Sequence, residues 1–232
     1  MPTIYADKAN KSKRKPYDLY ITEPNLIRAA LDVYRPSKSR SILDAGANDG
    51  RWGQIAKGYY PKAQLTGADI RSMDKPISFD QWHTLDYLTW WPSQSYDLIV
   101  SNPPFNLAEP FIKHSWNLLP PNGTMIMLLL HDFITSDDRA MGLWLTHSPA
   151  RFVPIAKRPC FDGTNKGWTH NCAIYVWQKD KRGQNAVEPY SWQSGLLLYD
   201  REDGKGQQGR RRAYASRLSK VRQLSLAAIV GD

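Results

Sequence analysis

The chain has 232 residues, 41% of them hydrophobic, which suits one core-forming domain of ordinary size with extensions. It holds no apolar run of about eighteen residues and no apolar leader behind Met1-Pro2-Thr3-Ile4, so neither a membrane span nor a signal peptide is expected, and a cytoplasmic protein is. Its 31 Lys and Arg against 22 Asp and Glu leave a net charge of +9, which favours polyanionic partners through counterion release and is also compatible with mere solubility.

In chain order, residues 1–17 read as a basic arm carrying Lys11, Lys13, Arg14 and Lys15. The spacing of Leu26, Ile27, Ala30, Leu31 and Tyr34 predicts a helix over Thr22 to Tyr34. Ser41-Ile42-Leu43 is a short apolar strand that runs into Asp44-Ala45-Gly46-Ala47-Asn48-Asp49-Gly50, then a helix from Arg51 to Lys57. Gly46 and Gly50 let the backbone turn tightly and lie close to a ligand. The spacing is neither that of a phosphate loop nor that of a dinucleotide fingerprint, and alone it marks only a strand-to-helix turn.

A second strand, Ala63 to Ile70, ends near Asp69, and an acid at that place is where nucleotide folds hold ribose hydroxyls. Residues 71–93 connect onward around Asp86, a candidate acceptor for an adenine amine, with Trp90-Trp91-Pro92 as a packed corner. Tyr96 to Val100 reads as a buried strand that leads to Asn102-Pro103-Pro104-Phe105. Each proline fixes φ and removes an N–H, so this strand-ending turn is stiff and rich in acceptors. The Asn102 side-chain oxygen and the Pro103 carbonyl can each take one N–H of a planar amine. That frees the nitrogen lone pair for attack on an electrophile, and Phe105 can stack on the ring bearing the amine.

Ala108 to Leu119 reads as a helix, and Gly123 to Leu130 as a fully buried strand of a parallel sheet covered on both faces. His131-Asp132-Phe133 reads as a helix-starting turn, and Asp137 to His147 as a helix. Arg151 to Ala156 and Asn171 to Gln178 form a late pair of strands whose loop carries Phe161 and Trp168. Residues 179–209 are a polar, Gly/Gln-rich loop and linker. Tyr214, Leu218, Val221 and Leu224, with Arg217, Lys220 and Arg222 beside them, make 210–232 a basic amphipathic helix. Capping the core, pairing with a second copy or touching nucleic-acid backbone are its alternative roles. Cys160 and Cys172 lack Cys-x-x-Cys or Cys/His spacing, so no metal is expected and reduced thiols are.

Taken together and in this order, the glycine turn, the two acids and Asn102-Pro103-Pro104-Phe105 resemble the class I S-adenosylmethionine-dependent methyltransferases, in the amino-group branch that modifies adenine N6. The resemblance covers roughly residues 18–178. It implies an α/β, Rossmann-like fold: a mostly parallel, doubly wound sheet closed by an antiparallel hairpin. It implies S-adenosyl-L-methionine as cofactor, with Asp44, Gly46 and Gly50 in the cofactor loop, Asp69 at the ribose and Asp86 near the adenine. Tyr20 and Thr22 belong to Tyr20-Ile21-Thr22-Glu23-Pro24, which resembles the motif that closes over the methionine part. Asn102, Pro103, Pro104 and Phe105 match the catalytic motif. The loop between the last strands often supplies an aromatic that stacks on a flipped base, here Phe161 or Trp168, with packing on the loop as the other reading.

The motif order matches one permuted arrangement of DNA adenine methyltransferases. Many DNA enzymes carry Asp and Tyr where this chain has Asn102 and Phe105, and the Asn/Phe version also occurs in RNA adenine and protein glutamine methyltransferases. No separate target-recognition domain is evident, which points to short or relaxed recognition. The expected activity is methylation of adenine N6 in DNA. RNA adenine methylation, protein glutamine N5 methylation and a catalytically silent nucleic-acid-binding module are the alternatives.

Overall fold

Among the described residues, apolar strands form the centre of the fold. The computed structural model describes residues 20–159, 161 and 170–197, all within the unit Met1–Arg201. The basic arm, Cys160, Trp168 and the helix expected over 210–232 lie outside the described residues. Five strands run parallel: β1 (Ser41–Ala45), β2 (Gln64–Asp69), β3 (Gln81–Thr84), β4 (Leu98–Ser101) and β5 (Thr124–Leu130). The sheet continues through β6 (Arg151–Pro154), β7 (Cys172–Gln178) and β8 (Gln193–Ser194) in the order β3-β2-β1-β4-β5-β7-β6-β8. β7 is antiparallel to both β5 and β6.

The strands are apolar on both faces because both faces are covered. Successive side chains point to opposite sides. Ile42, Leu98, Val100, Ile126 and Leu128 pack on α1 (Pro24–Tyr34) and α2 (Arg51–Tyr59). Leu43, Ile99, Met125, Met127 and Leu129 pack on the other side, against α3 (Ala108–Leu118). Among the described residues no helix is long and apolar enough to cross a membrane.

Several elements differ in detail from the sequence reading. α1 begins at Pro24 rather than Thr22: proline suits the first helical turn, where no N–H partner is required, and Thr22 is held elsewhere. The helix expected over 137–147 is two pieces, α4 (Asp137–Met141) and α5 (Leu143–Thr146), broken at Gly142. Glycine costs a helix interior about 1 kcal/mol relative to alanine. The break accompanies burial of Trp144, whose Nε1 donates to the Ile134 carbonyl at 3.0 Å. Trp90 packs against the core, whereas Trp91 is 64% exposed and stands T-shaped to the His114 ring, with centroids 4.6 Å apart. Within the segment read as loop and linker, residues 179–197 run back to the sheet. The Asp180 carboxylate accepts the backbone N–H groups of Arg182 and Gln184, β8 joins β6, and Leu197 is buried. His131–Ile134 is a single 3-10 turn. Cys172 is buried on β7, and burial pushes its thiol pKa up to about 12.

The chain reverses its direction of sheet growth between β1 and β4. Strands β1, β2 and β3 build outward on one side and β4 and β5 on the other, which opens a crevice at the carboxyl ends of β1 and β4. Asp44 pairs with Gly67 on one side and Val100 on the other. Carried two residues on, that register sets Gly46, Asp69 and Asn102 at one level on adjacent strands.

The tightest constraint on this arrangement is Gly67 in β2, where an added Cβ would run into the Trp82 and Phe79 rings. Overpacking of this kind costs about 1–3 kcal/mol. Gly67→Ala is therefore expected to lower the denaturant midpoint with an unchanged slope; a midpoint equal to wild type would contradict this packing.

Candidate active site

Asp44 points inward from β1 and is 1% exposed. Its Oδ2 accepts the Gly53 N–H at 2.7 Å, which ties the strand to the first turn of α2. Burial lifts its pKa well above the usual carboxylate value; the Gly53 bond opposes the shift and the charges of Asp49 and Asp69 add to it. The loop between strand and helix carries three residues at positive φ, Gly46, Asn48 and Gly50. Gly50 needs to be glycine twice over: its φ is 78°, and a Cβ would enter the Phe79 ring. The loop is held to β2 by two bonds, Ala47 N–H to the Ala68 carbonyl at 3.0 Å and Asn48 N–H to Asp69 Oδ2 at 2.7 Å.

Asp69 ends β2 and is 5% exposed. The Arg71 guanidinium lies along it, with Nε donating to Oδ1 at 2.9 Å and Nη2 to Oδ2 at 3.2 Å. Asp86 stands further out, two residues past Thr84, the β3 partner of Asp69. It caps the 3-10 turn Tyr87–Thr89, its Oδ1 accepting the Leu88 N–H at 3.0 Å.

At the end of β4 the Ser101 hydroxyl donates to the Ala45 carbonyl at 2.6 Å and locks the two strand ends together. Asn102 follows. Its Nδ2 donates to the Tyr20 carbonyl at 2.7 Å and to Thr22 Oγ1 at 3.2 Å. A carbonyl only accepts, so the amide nitrogen must face Tyr20 and Oδ1 must face away. The Pro104 carbonyl is used by the Leu107 N–H, at 2.8 Å. Among the described residues no hydrogen bond reaches Asn102 Oδ1 or the Pro103 carbonyl.

Tyr20 and Thr22 reach this turn from the segment before α1. Thr22, 2% exposed, also accepts the Trp52 Nε1–H at 3.0 Å, and its carbonyl accepts from Arg51 Nη1 at 3.0 Å. The Tyr20 ring stacks on Phe105, with centroids 6.0 Å apart and planes 15° apart, and meets Phe161 at 5.4 Å. Phe161 is 4% exposed, so it belongs to the buried core and not to a loop surface.

The sequence-predicted residues therefore gather in two neighbouring groups. Tyr20, Thr22, Asn102, Phe105 and Phe161 form one, and Asp44, Gly46, Gly50 and Asp69 the other. Asp86 sits at the outer edge, and Trp168 lies outside the described residues. Sequence reasoning missed Trp52, whose indole is a partner of Thr22, and Arg71, the partner of Asp69. Arg71 had a readable signal: an Asp-x-Arg spacing at a strand end lets the guanidinium fold back on the acid. Trp52 had none, since nothing local distinguishes it from a core aromatic. Among the described residues no group of three or more His, Cys, Asp and Glu is placed to hold a metal ion.

No protein-family model matches the sequence, and no curated protein does. Solved structures do match. One, described as a class I S-adenosylmethionine-dependent methyltransferase from Listeria monocytogenes, aligns at TM-score 0.51 and 14% identity over 75% of this chain and 62% of its own. The chain has the class I methyltransferase fold. A predicted O-methyltransferase from Agrobacterium tumefaciens aligns at 0.52 and 14% identity over 76% of this chain and 87% of its own. A protein described as the modification subunit of a type I restriction enzyme, from Vibrio vulnificus, aligns at 0.55 and 13% identity, over 69% of this chain and 44% of its own. The chain thus spans less than two thirds of the Listeria and Vibrio proteins.

Thr22→Val keeps the shape and removes the shared acceptor, which leaves the Trp52 indole N–H buried without its partner. A loss of about 1–3 kcal/mol of stability is expected in chemical denaturation. An unperturbed variant would show that Thr22 is not the node between α2 and the turn at Asn102.

The buried acid makes a separate pH prediction. Because the folded pKa of Asp44 lies above its unfolded value of about 3.9, the folded state binds its proton more tightly. Its contribution is fully present below the unfolded value and is lost as pH rises through the folded one. Asp44→Asn keeps an oxygen for Gly53 and cannot titrate. The stability of wild type relative to Asp44→Asn should fall as pH climbs from about 4; parallel pH profiles would refute the raised pKa.

Proposed function

We propose that this chain transfers a methyl group from S-adenosyl-L-methionine to the exocyclic N6 amine of adenine in DNA. The observation that carries the reading is the Asn102 amide at the end of β4: Tyr20 and Thr22 hold its Nδ2, and among the described residues its Oδ1 accepts no hydrogen bond. The residues beside it fit the cofactor. Asp69 is a carboxylate at the place where a ribose diol is held in such crevices, and Gly46 brings backbone close without a side chain of its own. The polyanionic partner is supported by the net charge of +9 and by exposed Lys157 and Arg158 beyond the carboxyl end of β6. The modification subunit among the structural neighbours is in keeping with it.

When bound, the cofactor supplies a sulfonium methyl that is already electrophilic, so the protein's task is positioning and electrostatics. Asn102 and Pro103 each accept one amine N–H. Attack places positive charge on that nitrogen, and both carbonyl oxygens then bind its hydrogens more strongly than in the ground state. This is the differential binding that lowers a barrier. Phe105 holds the base plane, and Tyr20 braces Phe105 from behind by stacking. A base in duplex DNA must first leave the stack, at a cost of a few kcal/mol, which phosphate contacts by Lys and Arg can offset.

The test is to incubate the protein with labelled S-adenosylmethionine and DNA, RNA and protein acceptors, then identify the methylated product. N6-methyladenine from DNA is expected. Asn102→Ala should slow transfer by about 10²–10³-fold while S-adenosylhomocysteine affinity stays within about twofold. Label in RNA, in glutamine or in no acceptor, or wild-type turnover by the variant, would overturn the reading.

A further inference from the structure

The hydrogen-bonding capacity of Asp69 is already full. Oδ1 accepts the Arg71 backbone N–H and Arg71 Nε–H, both at 2.9 Å. Oδ2 accepts the Asn48 N–H at 2.7 Å and Arg71 Nη2–H at 3.2 Å. A carboxylate offers about four lone-pair sites, and four donors occupy them. Two of these donors are backbone groups, fixed by the end of β2 and by the glycine turn. The other two are neighbouring N–H groups on one edge of a guanidinium. That edge is braced by a further bond from Nη2 to Asn48 Oδ1 at 3.0 Å. The pair is partly shielded from water: the Arg71 side chain is 27% exposed and that of Asp69 6%.

A guanidinium edge and a ribose diol are chemical look-alikes toward a carboxylate. Each presents two adjacent hydrogen-bond donors that one carboxylate can accept together. With four donors in place, Asp69 cannot take a diol as well as the guanidinium.

We propose that Arg71 is an internal competitor for the ribose of a nucleoside ligand: its side chain holds Asp69 as a surrogate diol and is displaced when the ligand binds. The inference rests on the cofactor reading of Asp69 given above. The displacement leaves the two backbone bonds intact and exchanges only the two guanidinium bonds for two hydroxyl bonds. The apparent dissociation constant is the intrinsic one divided by the fraction of molecules in which Arg71 has swung away. Every nucleoside is weakened by the same factor, so a ligand with few other contacts is driven out of the site while one with many still binds. When the ligand leaves, the guanidinium returns and the nearly buried carboxylate is not left unpaired, which would be costly.

Titration calorimetry with S-adenosylhomocysteine on the full chain tests this, using wild type, Arg71→Ala, Arg71→Lys and Asp69→Ala. Arg71→Ala should tighten binding by about fivefold, the scale of one partly exposed ion pair. Arg71→Lys cannot present the two-donor edge and should also tighten binding, by less. The melting temperature of ligand-free Arg71→Ala should fall below wild type, and the gap should shrink at saturating ligand. Asp69→Ala should weaken binding. If Asp69→Ala binds as wild type does, the cofactor reading of this acid fails and the competitor role with it. If Asp69→Ala weakens binding but neither arginine variant tightens it, the cofactor reading stands and the competitor role is overturned. Should Arg71→Ala fail to fold, the lysine variant decides by the same criterion.

Discussion

Thr22 Oγ1 is the point on which the site depends. It receives an N–H from Trp52 on α2 and another from Asn102 at the end of β4. α2 and β4 also pack in one core, and the Asp44–Gly53 and Ser101–Ala45 bonds tie both to β1; what remains to be set is how the Trp52 indole and the Asn102 amide meet. A single buried oxygen sets it, because leaving either donor unpaired in a dry interior would cost more than the bond itself contributes. The consequence reaches the chemistry through the amide plane. Once Nδ2 is committed to Tyr20 and Thr22, the direction of Oδ1 is no longer a choice. The segment before α1 is thus part of the site, although it stands eighty residues upstream in the chain of the turn it orients.

The sheet supplies the second half of the geometry. Register pairs Asp44 with both Gly67 and Val100, so the ends of three neighbouring strands come level. The Ser101 hydroxyl on the Ala45 carbonyl then fixes the two strands that flank the crevice. The Asp69 carboxylate and the Asn102 amide inherit their separation from strand spacing rather than from loops. A site built this way is precise because sliding one strand past its neighbour would break a whole ladder of hydrogen bonds and turn apolar side chains to the wrong face.

Much of this was legible from the residues. Unbroken apolar runs such as Met125 to Leu130 announce strands buried on both faces, and the Asn102-Pro-Pro turn announces acceptors without donors. The two acids and the glycine turn followed from their places at strand ends. What could not be read were partnerships across the chain. Nothing in the sequence links Tyr20 to Asn102, or Trp52 to Thr22, since each bond depends on tertiary placement. The fate of Phe161 was open for the same reason: a loop aromatic reads alike whether it faces solvent or, as here, packs on Tyr20. Helix breakage at Gly142 was missed because periodicity continued through it, and the glycine was the only warning.

The placing of β7 has a consequence for how the chain acquires its structure. β5 is a run of Met, Ile and Leu with almost no polar relief, and one of its edges is covered by β4, which precedes it. The other edge is covered by β7, whereas β6, although made earlier, lies beyond β7 and is not paired with β5 in the finished sheet. As the chain emerges from the ribosome, β5 must therefore wait with a bare apolar edge until Cys172–Gln178 has been synthesised. Such an edge is a template for pairing with other chains. In the interval between the making of β5 and of β7, the edge of β5 lacks the strand that covers it in the finished sheet.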